Sequence, residues 1–274
     1  KSNRALRPST EVLTRGFDPA LSVGSARPAV FRSSTYVFPS PEAAEHAFDV
    51  MAGRARLAPE ESVALVYSRF NHPTAEILEE HVLPLEAGAQ EALVFNSGMS
   101  AIVTALLAHL QPGQSVVYTV PIYGGSQKFI QSFLRQWGVN GVAVPGGNSR
   151  ALDAAIANTP KLAVALIETP ANPTLTMTDI RRAVESVHKL GGTRPLIMVD
   201  NTMMGPTFQH PLLLGADIVL YSATKYLSGF SDLIGGFALS KDPQHLTKIR
   251  SLRSLFGTIL QPDECWILDG RLPT

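Results

Sequence analysis

The pattern of apolar residues divides the chain near residue 74. Up to residue 66, Pro, Ser and Arg are frequent and apolar positions show little periodicity. Only 41–51 carries a helical pattern there, and 53–61 reads as a surface loop. From 74 onward, helical spacing alternates with short apolar runs. Ile77, Leu78, Val82 and Leu85 predict a helix over 74–85. Apolar runs follow at 92–95, 115–118, 141–144, 162–167, 196–199 and 218–221, separated by helical stretches such as 100–110, 124–137, 151–158 and 179–190. Runs this short, apolar on both faces and joined by helices, predict an α/β fold with a mostly parallel sheet between helices. There is no internal repeat and no low-complexity tract. The polar, irregular segment 1–66 reads as an arm that packs on something else.

Composition narrows the function without choosing it. The chain has 274 residues, 45% hydrophobic and 17% charged, with a formal net charge of zero. Neither nucleic acid nor an anionic membrane is favoured as a partner by that balance. No apolar run approaches the length that crosses a bilayer. The one cysteine, Cys265, excludes an internal disulfide framework and agrees with a reducing cytoplasm. It is expected beside Trp266 on a buried helix face. Lys1, Arg4, Arg7 and Arg15 stand against Glu11 in the first sixteen residues, but no apolar h-region follows. An exposed arm explains them more simply than a targeting signal.

In a parallel sheet, functional groups collect just past the carboxyl ends of the strands. Polar clusters fall there: Asn96-Ser97-Gly98, Glu168-Thr169, Asp200-Asn201-Thr202 and Ser222-Ala223-Thr224-Lys225. A lone strand-end lysine ordinarily extends to solvent. Ser222 and Thr224 beside Lys225 change that balance, because two hydroxyls near a helix start can hold a phosphate while the amine forms an imine. Asp200 either caps its turn or keeps a pyridine nitrogen protonated so that the ring accepts electrons. Gly98 lets backbone N–H groups approach a phosphate, although strand-glycine-helix turns are common for steric reasons alone. Tyr123 follows another strand, where it either stacks on a flat ring or packs as an ordinary aromatic.

Seven ordered motifs then carry a resemblance. They are Ser33-Ser34-Thr35-Tyr36, Tyr67-Ser68-Arg69 with Pro73-Thr74, Ser97-Gly98-Met99, Tyr123-Gly124-Gly125, Glu168-Thr169-Pro170-Ala171-Asn172-Pro173, Val199-Asp200-Asn201-Thr202 and Ser222-Ala223-Thr224-Lys225-Tyr226. From Thr14 to about Trp266 the chain resembles the cystathionine γ-synthase, cystathionine γ-lyase and methionine γ-lyase family of pyridoxal 5'-phosphate (PLP) enzymes. The resemblance implies the large domain of fold type I and the cofactor PLP. It makes Lys225 the covalent anchor and the base that moves protons at the substrate Cα. Asp200 then pairs with the pyridine nitrogen and Tyr123 stacks on the ring. Ser222, Thr224 and the amides of Gly98 and Met99 bind the phosphate, Thr202 lies against the ring face, and Asn172 sits near the ring hydroxyl. Tyr67 and Arg69 complete the phosphate site of a neighbouring subunit, in a homotetramer of two dimers. Segment 1–66 becomes the arm contacting that subunit, 67–256 the PLP-binding domain, and 257–274 the start of a linker towards a C-terminal small domain.

The sequence also departs from that family. His72 stands where an asparagine is usual and reads as a turn residue, with substrate contact as the alternative. Phe230 replaces a histidine after the lysine segment. The resemblance implies a C-terminal small domain that supplies an arginine for the substrate carboxylate; the sequence reaches Thr274 without it, either as a fragment or as a naturally short chain. Gly125 occupies the position where methionine γ-lyases usually carry cysteine. The expected activity is cleavage of a carbon–sulfur bond by γ- or β-elimination, with γ-replacement on an activated homoserine as the alternative. A truncated, non-catalytic PLP-binding chain is a further reading. A dinucleotide module is disfavoured, because no Gly-rich fingerprint follows the first strand.

Overall fold

The computed structural model describes residues 6–55, 65–192 and 194–274. Seven strands form one sheet: β1 (Glu91–Phe95), β2 (Ser115–Val120), β3 (Asn140–Pro145), β4 (Leu162–Glu168), β5 (Leu196–Asp200), β6 (Ile218–Ser222) and β7 (Gly236–Ser240). Their spatial order is β1-β7-β6-β5-β4-β2-β3. From β3 to β6 all neighbours are parallel, and β7 runs antiparallel to both β6 and β1. The six expected strands are present, each a residue or more longer than its apolar run. β7 was not expected, since Gly-Phe-Ala-Leu-Ser is too short and too small in its side chains to stand out.

The helices are α1 (Pro8–Glu11), α2 (Pro41–Met51), α3 (Pro73–Val82), α4 (Gly98–His109), α5 (Gly124–Lys128), α6 (Ser149–Asn158), α7 (Ile180–His188), α8 (Gly205–Phe208), α9 (Pro243–Phe256) and α10 (Pro262–Asp269). Side-chain caps fix where several begin. Ser40, Ser97, Asn148 and Asp179 each accept an amide N–H from the first turn of the helix they precede. The helix expected over 124–137 is present, but it widens into a π-turn over Phe129–Leu134.

Side-chain alternation along the strands separates two faces. Val164, Leu166, Met198, Ile218, Leu220 and Ala238 share one core with Ala101 and Ala105 of α4 and Leu246 of α9. The intervening residues turn the other way. Ala165, Ile167, Ile197 and Val199 pack with α6 and α7. Val219, Phe237 and Leu239 pack with α3 and α10. Both faces of the central strands β4 to β7 are therefore dry, whereas the edge strand β3 is largely exposed. This alternation also places the strand ends: Glu168, Asp200 and Ser222 continue the α4 side of β4, β5 and β6.

The N-terminal arm returns to its own body through much of its described length. Val12 is buried in the core beneath α3. Arg15 pairs with Glu80 at 2.9 Å, and Arg32 pairs with Asp263 at 2.5 Å. Arg27 stacks 4.0 Å over Trp266, whose indole N–H donates to the Pro28 carbonyl. Cys265 is buried on α10 as expected. Residues 1–5 of the arm and 56–61 of the expected loop lie outside the described residues.

Candidate active site

The carboxyl ends of β1, β4, β5 and β6 meet at one rim. Phe95 of β1 and Ser222 of β6 are both in register with Gly236, the first residue of the strand between them. The turn after β1 crosses over Gly236 and brings Gly98 against Ser222. A Cβ placed on Gly98 would lie 2.7 Å from the Ser222 Cβ and 2.8 Å from its Cα. Gly98 and Met99 open α4, so their amides have no intrahelical acceptor. Ser97 uses its hydroxyl to cap Ser100 N–H at 3.0 Å. Two free amides at a twelve-residue helix's positive end, beside the Ser222 hydroxyl, make a cradle that fits a phosphate. Thr224 faces Gly235, accepting its N–H at 3.1 Å.

Asp200 closes β5, adjacent to β6, and is almost fully buried. Its Oδ1 accepts the Thr202 hydroxyl at 2.6 Å and the Thr202 amide at 3.0 Å. The Thr202 hydroxyl also accepts Ser222 N–H at 2.8 Å, so one oxygen ties the ends of β5 and β6 together. Burial raises the Asp200 carboxyl above the ordinary range, against the lowering effect of the two Thr202 bonds. Both bonds end on Oδ1, which leaves Oδ2 for a second donor. A buried carboxylate with an open oxygen fits a ring N–H carrying positive charge.

Lys225 follows in the turn after β6, its amide donating to the Ser222 carbonyl at 3.2 Å. Its side chain is exposed at the rim rather than buried at the strand end. Tyr123 precedes α5, half-exposed, with its ring close to Gly125 and Met99. A Cβ on Gly125 would lie 2.7 Å from Tyr123 Cε1 and 2.9 Å from the Met99 sulfur. Asn172 lies in the loop after β4. Glu168, the last residue of β4, links these two loops: its Oε2 accepts Tyr123 N–H and its Oε1 accepts Asn172 N–H, each at 2.7 Å. Burial and then the neighbouring Asp200 push the Glu168 carboxyl up to about 7, against the pull of those two amides.

Tyr67 and Arg69 are not part of this rim group. They line a separate cleft of about 550 Å³ with Arg32, Ser33 and Gly257. Arg69 donates to the Ser254 carbonyl, and its guanidinium lies 4.7 Å over Phe70 and 5.5 Å over Tyr67. Behind the turn, fully buried Arg253 pairs with Glu79 at 2.5 Å and reaches the Phe70 carbonyl at 3.4 Å. His72 is a buried helix cap, as the turn reading expected. Its Nδ1 accepts Ala75 N–H at 3.1 Å, so Nε2 carries the proton donated to the Leu260 carbonyl at 2.9 Å. Burial lowers its pKa, which keeps the ring neutral. Sequence reasoning gave no role to Glu168, Gly236 or Arg253. An acid closing an apolar run beside the strand that ends in Asp200 was the available signal for Glu168.

The fold is that of the large domain of fold-type I PLP-dependent enzymes. Within that class, the chain belongs to the Cys/Met metabolism PLP-dependent enzyme family, whose model matches residues 9–274. It is 39% identical over 215 residues to cystathionine β-lyase of Bacillus subtilis, covering 78% of this chain and 53% of that protein. Against L-methionine γ-lyase of Pseudomonas putida it is 34% identical over 268 residues, or 97% of this chain and 63% of the relative. Cystathionine γ-synthase of Xanthomonas oryzae pv. oryzae, solved in complex with cystathionine, superposes with a TM-score of 0.84 at 30% identity. That match covers 99% of this chain and 64% of the solved one. The chain thus spans about half to two thirds of the relatives it matches.

Proposed function

We propose that this chain is the PLP-binding part of an enzyme that cleaves a carbon–sulfur bond in a sulfur amino acid by γ- or β-elimination. The observation that carries the reading is the convergence of the α4 N-terminus, Ser222, buried Asp200 and Lys225 on one rim. PLP, when bound, supplies an electron sink for the bond pair left when the substrate Cα loses its proton. The protein's own groups do the rest. The amides of Gly98 and Met99 and the hydroxyls of Ser222 and Thr224 hold the phosphate. Asp200 keeps the ring nitrogen protonated, while Thr202 orients the Asp200 carboxylate. Tyr123 stacks on the ring and Asn172 lies near the ring hydroxyl. Lys225 anchors the cofactor and moves the proton at the substrate Cα. Tyr67 and Arg69 serve the phosphate site of a second copy, within a homotetramer of two dimers in the cytoplasm.

The test is an assay of keto acid, ammonia and thiol release against cysteine, homocysteine, methionine and cystathionine. Release of a thiol together with a keto acid supports elimination. Condensation of an activated homoserine with cysteine, without such release, assigns γ-replacement instead. Neither reaction from the cofactor-loaded chain, with PLP bound, leaves a binding chain and overturns the enzymatic reading.

A further inference from the structure

Glu168 presents a puzzle that its ordinary reading does not resolve. It is about 2% exposed, and among the described residues no lysine or arginine pairs with it. Its register partner across β4 and β5 is another buried acid, Asp200, on the same side of the sheet. Two carboxyl groups so placed repel when both are ionised, and burial adds to that cost. A strand end that needed only to be hydrophilic would be served by a hydroxyl or an amide.

The two bonds explain why a carboxylate stands there. Tyr123 N–H and Asn172 N–H approach different oxygens of Glu168 at the same short distance, 2.7 Å. A carboxylate offers two acceptor oxygens, whereas a glutamine offers one and a hydroxyl cannot span two loops. One donor belongs to the loop after β2 and the other to the loop after β4. The β4 end is itself fixed, because Glu168 N–H donates to the Thr119 hydroxyl at 3.1 Å. Beyond Asn172 the second loop is held again, since Thr178 N–H donates to the Thr169 hydroxyl at 2.9 Å. Among the described residues, Glu168 is thus the one side chain bonded to both Tyr123 and Asn172.

We infer that Glu168 is a positioning residue for the cofactor ring, setting the loops of Tyr123 and Asn172 at a fixed separation through its two carboxylate oxygens. The inference rests on the reading of this rim as the PLP site. It also gives the neighbouring carboxylates a common use. A positive ring nitrogen at Asp200 would relieve the repulsion between the pair and favour the ionised Glu168 that holds both amides.

The test combines amide exchange on the cofactor-free chain with PLP titration of the same preparations. In Glu168→Ala, protection at Tyr123 and Asn172 should fall at least about tenfold while Leu166 and Ile167 in β4 keep theirs. PLP should then bind about tenfold or more weakly, with its visible circular dichroism altered, because the ring is no longer held at one angle. Glu168→Gln keeps a single acceptor and should fall between Ala and wild type. It decides the matter if the alanine variant does not fold. Wild-type exchange, PLP affinity and visible dichroism in both folded variants would overturn the positioning role. Failure of the unaltered chain to bind PLP would instead overturn the proposed function, and exchange at the two amides would still judge the brace.

Discussion

Gly236 lies directly under Gly98. A Cβ on Gly236 would come within 2.7 Å of the Gly98 Cα and closer still to the Ser97 carbonyl oxygen. Both obstacles are backbone, so neither can rotate away. The bare first residue of β7 is what allows the α4 N-terminus to cross from β1 to Ser222 on β6.

Gly236→Ala should therefore push the α4 N-terminus off the rim. Overpacking of this kind costs about 1–3 kcal/mol, which urea denaturation of the cofactor-free chain would measure. PLP affinity should fall further than stability alone accounts for, because the Gly98 and Met99 amides move. Gly124→Ala is the control, since a Cβ there meets nothing within 4 Å. Equal stability of the two variants would show that the crossing is looser than the distances imply.

Much of this arrangement was legible beforehand, for physical reasons that can be named. Strands β1 to β6 announce themselves as apolar runs, and β1, β4, β5 and β6 end in polar clusters, because the central sheet is dry on both faces while its carboxyl ends are not. Gly98, Asp200 and Ser222 could be assigned to one rim on topology alone. β7 escaped notice because two of its five residues are Gly and Ser, and its burial comes from the neighbours on either side. Gly236 was therefore invisible as the step under α4. The brace through Glu168 depends on which oxygen meets which amide, and apolar patterning does not encode that. Lys225 is exposed, as a strand-end lysine ordinarily is, so the groups around it, rather than desolvation, single it out.

Lys225 should carry the cofactor. Borohydride treatment of the PLP-loaded chain should leave one phosphopyridoxyl group, located at Lys225 by peptide mass spectrometry. Lys225→Ala should leave none. An adduct on Lys128 or Lys241 in the unaltered chain would move the site away from this rim.

Asp200→Asn removes the charge that keeps the ring nitrogen protonated. A loss of about 4 kcal/mol in transition-state stabilisation corresponds to roughly a thousandfold drop in turnover. The variant should still bind PLP, because the phosphate cradle and Lys225 are untouched. Near-normal turnover with cofactor bound would remove the proposed role of Asp200.

Stability should respond to pH through Glu86, which is buried behind the sheet. Its Oε2 accepts the Tyr221 hydroxyl, and its Oε1 has no hydrogen-bond partner among the described residues but lies 4.0 Å from His210 Nδ1. Burial pushes this carboxyl from 4.5 up to about 7, opposed by the Tyr221 hydroxyl and the Leu212 backbone. Between those values the folded chain holds a proton that the unfolded chain has released. Stability from this group is thus complete below about pH 4.5 and declines as pH rises through about 7. The full effect is on the order of 3 kcal/mol. Glu86→Gln cannot ionise, so its urea midpoint should change less between pH 5 and pH 8 than that of the unaltered chain. Parallel pH profiles would show that Glu86 is ionised throughout that range in the folded chain.

The last expectation concerns the cleft of Tyr67 and Arg69. These residues stand apart from the Lys225 rim, on a turn held from behind by Arg253 and Arg69's own bond to Ser254. A guanidinium presented in a separate cleft, over two aromatic rings, is placed to meet a phosphate brought by a second copy. Arg69→Ala should weaken PLP binding although Lys225 and Asp200 are intact. Mixing inactive Arg69→Ala with inactive Lys225→Ala separates service to the same chain from service to a partner. If the site is shared, a mixed dimer has one site with both defects and one with neither. Random exchange makes half the dimers mixed, so activity should recover to about a quarter of the unaltered value. Demonstrated subunit exchange without recovery would mean that Arg69 serves its own chain, and the shared-site model fails.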